Sequence, residues 1–237
     1  MVGELLLVAL IAALAAAIQG ALGFGFSLLA APLLALVDPQ LVPGPVLVGL
    51  LTLTTMMTAR ERGAVDGTGV AWVLVGRVPG AAVGALALAL LTQQALSITL
   101  AVVVLAAVAL SVAGLQLVPQ RGTLLGAGVV SGVMEVAASI GGPPVALVYR
   151  RAAAPVVRGT LSVIFMVGVT VSLIGVASVG RFGATELRWS LALIPGVVVG
   201  FVASALLRPA VDRGLLAPAV LVLSAISAIA VLVQALW

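Results

Sequence analysis

Arg77 and Glu135 are ionisable side chains placed well inside long apolar runs, and two glycine- and proline-rich stretches, GALGFG at 20–25 and SIGGPP at 139–144, interrupt two such runs. An unpaired charge at the centre of a bilayer costs at least about 2.5–3.5 kcal/mol. Each of the two therefore needs a partner or a neutral form. Counted from the arginine-rich loops at 1.5 Å per residue, both lie roughly 15–20 Å deep, so an Arg77–Glu135 pair is geometrically allowed. Two readings stand side by side. In one, the pair is structural, or Arg77 snorkels to the interface while Glu135 is protonated. In the other, Arg77 contacts an anion and Glu135 carries a coupling proton.

The interruptions raise a different chemistry. A broken helix in hydrocarbon exposes amides and carbonyls at several kcal/mol each, so it persists only where protein or a polar cavity meets it. After GALGFG, the N–H groups of Gly25, Phe26 and Ser27 open a new helix, and a helix N-terminus presents unpaired donors and partial positive charge. In SIGGPP, Pro143 and Pro144 lack N–H groups but suit a first helical turn, leaving Val145 and later amides available. Glycines at 23, 25, 141 and 142 let a ligand approach the backbone closely. An anion fits such a site, with Gln19, Ser27, Ser131 and Ser139 placed to add neutral hydrogen bonds. Isolated small residues more often pack helices. Clustering with proline and duplication favours a site here. Thr52, Thr54, Thr55 and Thr58 either line a path or return their hydroxyls to the preceding helical turn.

The elements that must hold these residues are membrane helices. Of 237 residues 63% are hydrophobic and 8% charged, with a mean hydropathy of +1.38, which marks a polytopic membrane protein with one transmembrane domain over 1–237. Cysteine and histidine are absent, which excludes thiolate and imidazole metal sites, disulfides and histidine-dependent nucleophilic catalysis. Neither enzyme, cofactor nor metal site is expected. The eleven basic residues are all arginines, scattered singly or in pairs rather than in a run with aromatic platforms, so nucleic acid is not an expected partner. The N-terminal MVGELLLVALIAALAAA carries Glu4 and no positive flank, and reads as a retained membrane segment rather than a signal peptide.

Apolar runs give about eight blocks, at 4–37, 44–59, 69–91, 95–117, 122–149, 156–179, 187–207 and 214–236. Six resemble ordinary spans. The first and fifth contain the interruptions. Gly20, Pro32 and Pro43 match Gly132, Pro144 and Pro155 at an offset of 112, and Trp72, Pro79 and Gly84 match Trp189, Pro195 and Gly200 at 116 or 117. The expected fold is an all-α bundle of two repeats, 4–117 and 122–236. If each broken block turns back at its tip, Arg60, Arg62, Arg121, Arg150, Arg151, Arg158, Arg208 and Arg213 share one side, opposite Arg181 and Arg188. The second repeat is then inverted relative to the first, and both termini face outward.

QGALGFGFSLLAAPLL at 19–34 and SGVMEVAASIGGPPVALVYRRAAAPVVRGTLS at 131–162 resemble the two signature segments of the TauE/SafE family of membrane transporters, also called the sulfite exporter or toluene-sulfonate uptake permease family. The resemblance implies a bundle of about eight helices in the bacterial inner membrane, carrying sulfur-containing anions such as sulfite or organosulfonates. It implies site-forming backbone at Gly23, Gly25, Gly141, Gly142, Pro143 and Pro144. Where related sequences read something like GTAAG before IGGPP, this chain reads EVAAS, so Glu135 stands at a glycine position and Val136 at a hydroxyl position. A carboxylate beside an anion repels it unless protonated or paired with Arg77.

The expected substrate-binding set is Gln19, Gly23, Phe24, Gly25, Phe26, Ser27, Arg77, Ser139, Gly141, Gly142, Pro143 and Pro144, with Glu135 as the proton-coupling group. The expected activity is alternating-access transport of a small sulfur-containing anion, with membrane lipid and a coupling proton as partners. A passive anion channel and a non-transporting assembly subunit are the alternatives.

Overall fold

The computed structural model describes residues 2–61, 63–113, 117–207, 209 and 216–237. Their regular structure is helical: α1 (Val2–Leu22), α2 (Phe26–Val37), α3 (Gly44–Arg60), α4 (Gly67–Leu90), α5 (Gln93–Val112), α6 (Arg121–Ala138), α7 (Gly142–Val148), α8 (Ala154–Ser178), α9 (Ala184–Ala203) and α10 (Leu216–Leu236), with 3-10 turns at Pro39–Leu41 and Ser204–Leu207. Helices satisfy every interior backbone group within one segment, which hydrocarbon demands.

Among the described residues, six helices are long and apolar enough to cross a membrane: α1, α4, α5, α8, α9 with its 3-10 extension, and α10. Two of the sequence expectations shift. The block at 44–59, read as an ordinary span, forms the 17-residue α3, short of the roughly 20 residues a crossing needs. The first broken block instead contains a complete span, because its break falls late and divides it into 21 residues and 12.

Side-chain contacts define the two ends of the bundle. At one end Arg60 donates to Ser204 Oγ (3.0 Å) and to the Gly20 carbonyl, Arg158 Nε meets Glu61 Oε1 at 3.2 Å, and the Tyr149 hydroxyl donates to Asp66 Oδ2 at 2.9 Å. Asp66 also caps α4 by accepting from the Gly69 N–H. Burial and the Asp66 carboxylate hold the Tyr149 phenol above its ordinary pKa range, so it stays a donor. At the other end Gln93 donates to the Pro39 carbonyl, Gln94 to that of Ala235 and Arg181 to that of Leu91. There Glu4 shares a surface basin with Arg188 and Trp189.

The path of each broken block follows. α1 runs from the Arg188 end to Gly20 beside Arg60, and α2 returns to Pro39. α6 starts at the opposite end, where Arg121 lies over Trp72, and reaches Ser139, which donates to the Pro43 carbonyl; α7 returns to Tyr149. Both hairpins leave at the end where they entered, and they enter from opposite ends. Arg60, Arg121, Arg150, Arg151 and Arg158 lie towards one end, Arg181 and Arg188 towards the other. Arg62, Arg208 and Arg213 lie outside the described residues.

Glycine seams bring the long helices together. A Cβ on Gly80 of α4 would strike the Val129 backbone of α6, and one on Gly200 of α9 would strike the Ala13 backbone of α1. Such small-residue seams let backbones touch where no hydrophobic drive separates protein from lipid. The pairings exchange between halves of the chain: α1 lies along α9, and α6 lies along α4.

Candidate functional site

The first break is built by two left-handed glycines, Gly23 (φ 99°) and Gly25 (φ 115°), which reverse the chain within three residues. The Gly23 N–H closes α1 on the Gln19 carbonyl at 2.7 Å. Gln19 then acts a second time: its side-chain Oε1 accepts from the Phe26 N–H at 2.8 Å, capping α2. Among the described residues its Nε2 has no partner, nor has Ser27 Oγ, and both residues are buried.

In the second break α6 ends at Ser139, a left-handed residue with φ 61°. The Ser139 N–H donates to the Glu135 carbonyl at 2.7 Å, and its hydroxyl to the Pro43 carbonyl at 3.0 Å. Ser131 Oγ donates to the Gly141 carbonyl at 2.6 Å, tying the tip back to its own helix. Pro143 and Pro144 then start α7, where missing N–H groups cost nothing. α7 has only seven residues.

The tips close one cavity between them. Gln19, Phe24, Gly25, Ser27 and Leu28 line it from the first break, and Glu135, Ile140, Gly141, Gly142 and Pro143 from the second. Leu50 of α3 and Phe165 of α8 complete the wall. Its volume, as space open to the centre of a water-sized sphere, is about 20 Å³, room for about one water. Phe24, Gly25, Leu28 and Pro143 also line a vestibule of about 250 Å³ that extends to Arg150. On the opposite side, a crevice of about 10 Å³ between Pro43 and Ala137 adjoins a hollow of about 240 Å³ lined by Pro43, Gln93, Leu96 and Arg181.

Glu135 has two differently occupied oxygens. Oε2 accepts from Arg77 Nη2 and from Ser172 Oγ (2.9 Å). Oε1 has no partner among the described residues, and Glu135 is fully buried beside the cavity. Arg77 stands behind it, 5.7 Å from the Phe165 ring centroid, a distance at which the ring face attracts the cation. Gly168 of α8 makes room, since a Cβ there would fall on the guanidinium.

The residues singled out from the sequence therefore separate. Gln19, Phe24, Gly25, Ser27, Glu135, Gly141, Gly142 and Pro143 line the cavity; Gly23, Phe26, Arg77, Ser139 and Pro144 do not. Gly23 faces Arg158 and the Phe26 ring packs on Gly49, although the Phe26 N–H holds Gln19 in place. Arg77 bonds Glu135 and lies over the Phe165 ring instead of lining the cavity. Ser139 is spent on Pro43, and Pro144 is buried within α7. Thr52, Thr54 and Thr55 bond the preceding turn of α3. Sequence reading missed Leu28, Leu50, Ile140, Phe165 and Ser172. Leu28 and Ile140 adjoin the motifs and were within reach of it, whereas Leu50, Phe165 and Ser172 carry no local signal that sets them apart from other residues of apolar helices.

Six apolar spans, with two interrupted helices walling a small cavity, mark a multi-pass membrane protein. The family model described as Sulfite exporter TauE/SafE matches residues 8–231, and the chain belongs to that family. Comparison with the curated proteins and with the solved structures finds no match.

Proposed function

We propose that this chain is a secondary carrier that moves a small sulfur-containing anion, such as sulfite or an organosulfonate, across a bacterial inner membrane. One observation carries the reading beyond the family: two broken helices, entering from opposite ends, close a single buried cavity that holds unpaired donor atoms. Gln19 Nε2, Ser27 Oγ and the free amides of the first turn of α2 face the anion.

Alternating access is supported by hollows at both ends, about 250 Å³ towards Arg150 and about 240 Å³ beside Pro43 and Arg181, with the small cavity between the tips lying between them. The exchanged pairing of α1 with α9 and α6 with α4 supports two inverted repeats, 4–117 and 122–236, as the moving bodies. The arginine-rich end is cytoplasmic by the positive-inside rule, which puts both termini outside. Glu135 is the group through which a proton is coupled, since it borders the cavity with Oε1 unpaired among the described residues while Arg77 and Ser172 hold Oε2.

The test is flux into proteoliposomes made with the purified protein, using sulfite, a sulfonate and a carboxylate, with and without a pH gradient. Saturable counterflow of the sulfur anion, driven by the gradient, is expected. Non-saturating conductance identifies a passive channel instead, and absence of flux identifies a subunit without transport of its own.

A further inference from the structure

The three cavity atoms without partners are not all of one kind. Gln19 Nε2 is a donor and cannot exchange places with the amide oxygen, because Oε1 is committed to the Phe26 N–H. Ser27 Oγ donates or accepts. Glu135 Oε1 is an acceptor in the carboxylate that Arg77 bonds through Oε2. Arg77 on α4 is the charged group that faces Glu135; α8 presents Ser172, the second tip presents Gly141, α1 presents neutral Gln19, and α5 and α7 contain no charged residue. The Arg77–Glu135 pair sums to zero, so the cavity wall offers no net positive side chain to a dianion.

Resting on the carrier reading above, we propose that the site takes its sulfur anion singly protonated, as hydrogen sulfite, in preference to the sulfite dianion or to a proton-free anion of the same shape. The cavity has room for about one water in this conformation, so the guest enters as the tips part towards the vestibule; its anionic oxygens then accept from Gln19 Nε2 and Ser27 Oγ, and its O–H donates to Glu135 Oε1. No bond is broken. The proton stays on the guest and crosses with it, so one proton and one net negative charge move together. A guest with acceptors only would set an oxygen against Glu135 Oε1 and leave that buried acceptor unpaired, the arrangement by which a polar site rejects an analogue lacking a hydrogen.

Wild-type proteoliposomes test this by counterflow of labelled sulfite at about pH 6 and about pH 8, values that straddle the second ionisation of sulfurous acid. Chlorate is the competitor. It is a pyramidal monoanion, isoelectronic with the sulfite dianion, and carries no proton. We expect half-saturation in total sulfite to rise about tenfold across that interval, while staying constant when expressed as hydrogen sulfite. Excess chlorate should leave the flux unchanged. In Glu135→Gln the amide turns a donor to the cavity, and chlorate should become a competitor; the wild-type measurements stand whether or not that variant folds. Half-saturation that ignores pH or follows the dianion, or chlorate competing in the wild type, overturns the proposal and leaves the carrier reading intact. No sulfite flux at either pH overturns both.

Discussion

The break at 23–25 and the break at 139–141 both turn an apolar helix back on itself, yet they use different residues and leave different atoms facing the cavity. At the offset of 112, Gln19 corresponds to Ser131 and Ser27 to Ser139. Gln19 caps the returning helix and keeps a donor free, whereas Ser131 is spent on the Gly141 carbonyl. Ser27 has a free hydroxyl, whereas that of Ser139 is bound to Pro43. In return the second break contributes the carboxylate of Glu135, at the position where the first has Gly23. Corresponding positions can therefore share a reversal of the chain while their side chains divide the work, donors on one tip and an acceptor on the other.

The largest expected effect comes from removing what makes that acceptor tolerable. Arg77→Met removes the cation from the buried Glu135 side chain and leaves it Ser172 alone, and breaking a buried pair in this way costs about 3–5 kcal/mol. The thermal midpoint in detergent and the flux should fall together. Combining it with Glu135→Gln should recover most of the stability and not the flux, because the buried charge is gone but so is the cavity's acceptor. Strictly additive losses would show that the two residues are not coupled.

Glycines give the next contrast. Gly25→Ala must place a Cβ at φ 115°, where strain costs about 1–3 kcal/mol, so stability and flux should both drop. Gly142→Ala meets only ordinary contacts, 3.7 Å to Phe165 and 3.8 Å to Phe24, so its thermal midpoint should hold. Its flux should still fall, since a methyl group lines a cavity with room for about one water. A midpoint that drops equally in both variants would mean that the second break depends on glycine conformation as the first does.

Gln19→Leu separates capping from binding. Loss of the bond to the Phe26 N–H should cost about 0.5–2 kcal/mol. Gln19→Glu keeps an acceptor for that N–H and loses the cavity donor. It should retain more stability than Gln19→Leu and still transport poorly, so equal stability in the two would remove the cap from the account.

Much of this architecture was legible because breaking a helix in hydrocarbon demands unusual residues. Two glycine and proline clusters in apolar blocks stand out against leucine, valine and alanine, and they lie at the two reversals. Depth alone allowed an Arg77–Glu135 pair without deciding it, and the two side chains do pair. Lengths were less legible, because a break signals its position and not the span on either side: α1 is a full crossing and α7 a mere seven residues. The cavity wall was partly hidden as well. Leu50 and Phe165 belong to helices in which nearly any residue is apolar, and only the packing of α3 and α8 turns these two inward. A buried cation such as Arg77 suggests an anion from sequence, but Arg77 bonds Glu135 and does not line the cavity.

The smallest effects are expected from the corresponding serines, and they differ in kind. Ser27→Ala removes a buried hydroxyl that has no partner among the described residues, so the folded protein gives up no hydrogen bond and its thermal midpoint should stay level or rise slightly. What is lost is a bond to a charged guest, worth about 1.5–3 kcal/mol, so half-saturation for sulfite should rise about tenfold or more. Ser139→Ala gives up the bond to the Pro43 carbonyl and puts alanine at φ 61°, so it should lower the midpoint by the equivalent of about 1–2 kcal/mol. Because the Ser139 side chain does not line the cavity, half-saturation should change little. If both serines instead raise half-saturation by similar factors at constant stability, the two tips act alike on the guest, and the division into donor and acceptor sides is wrong.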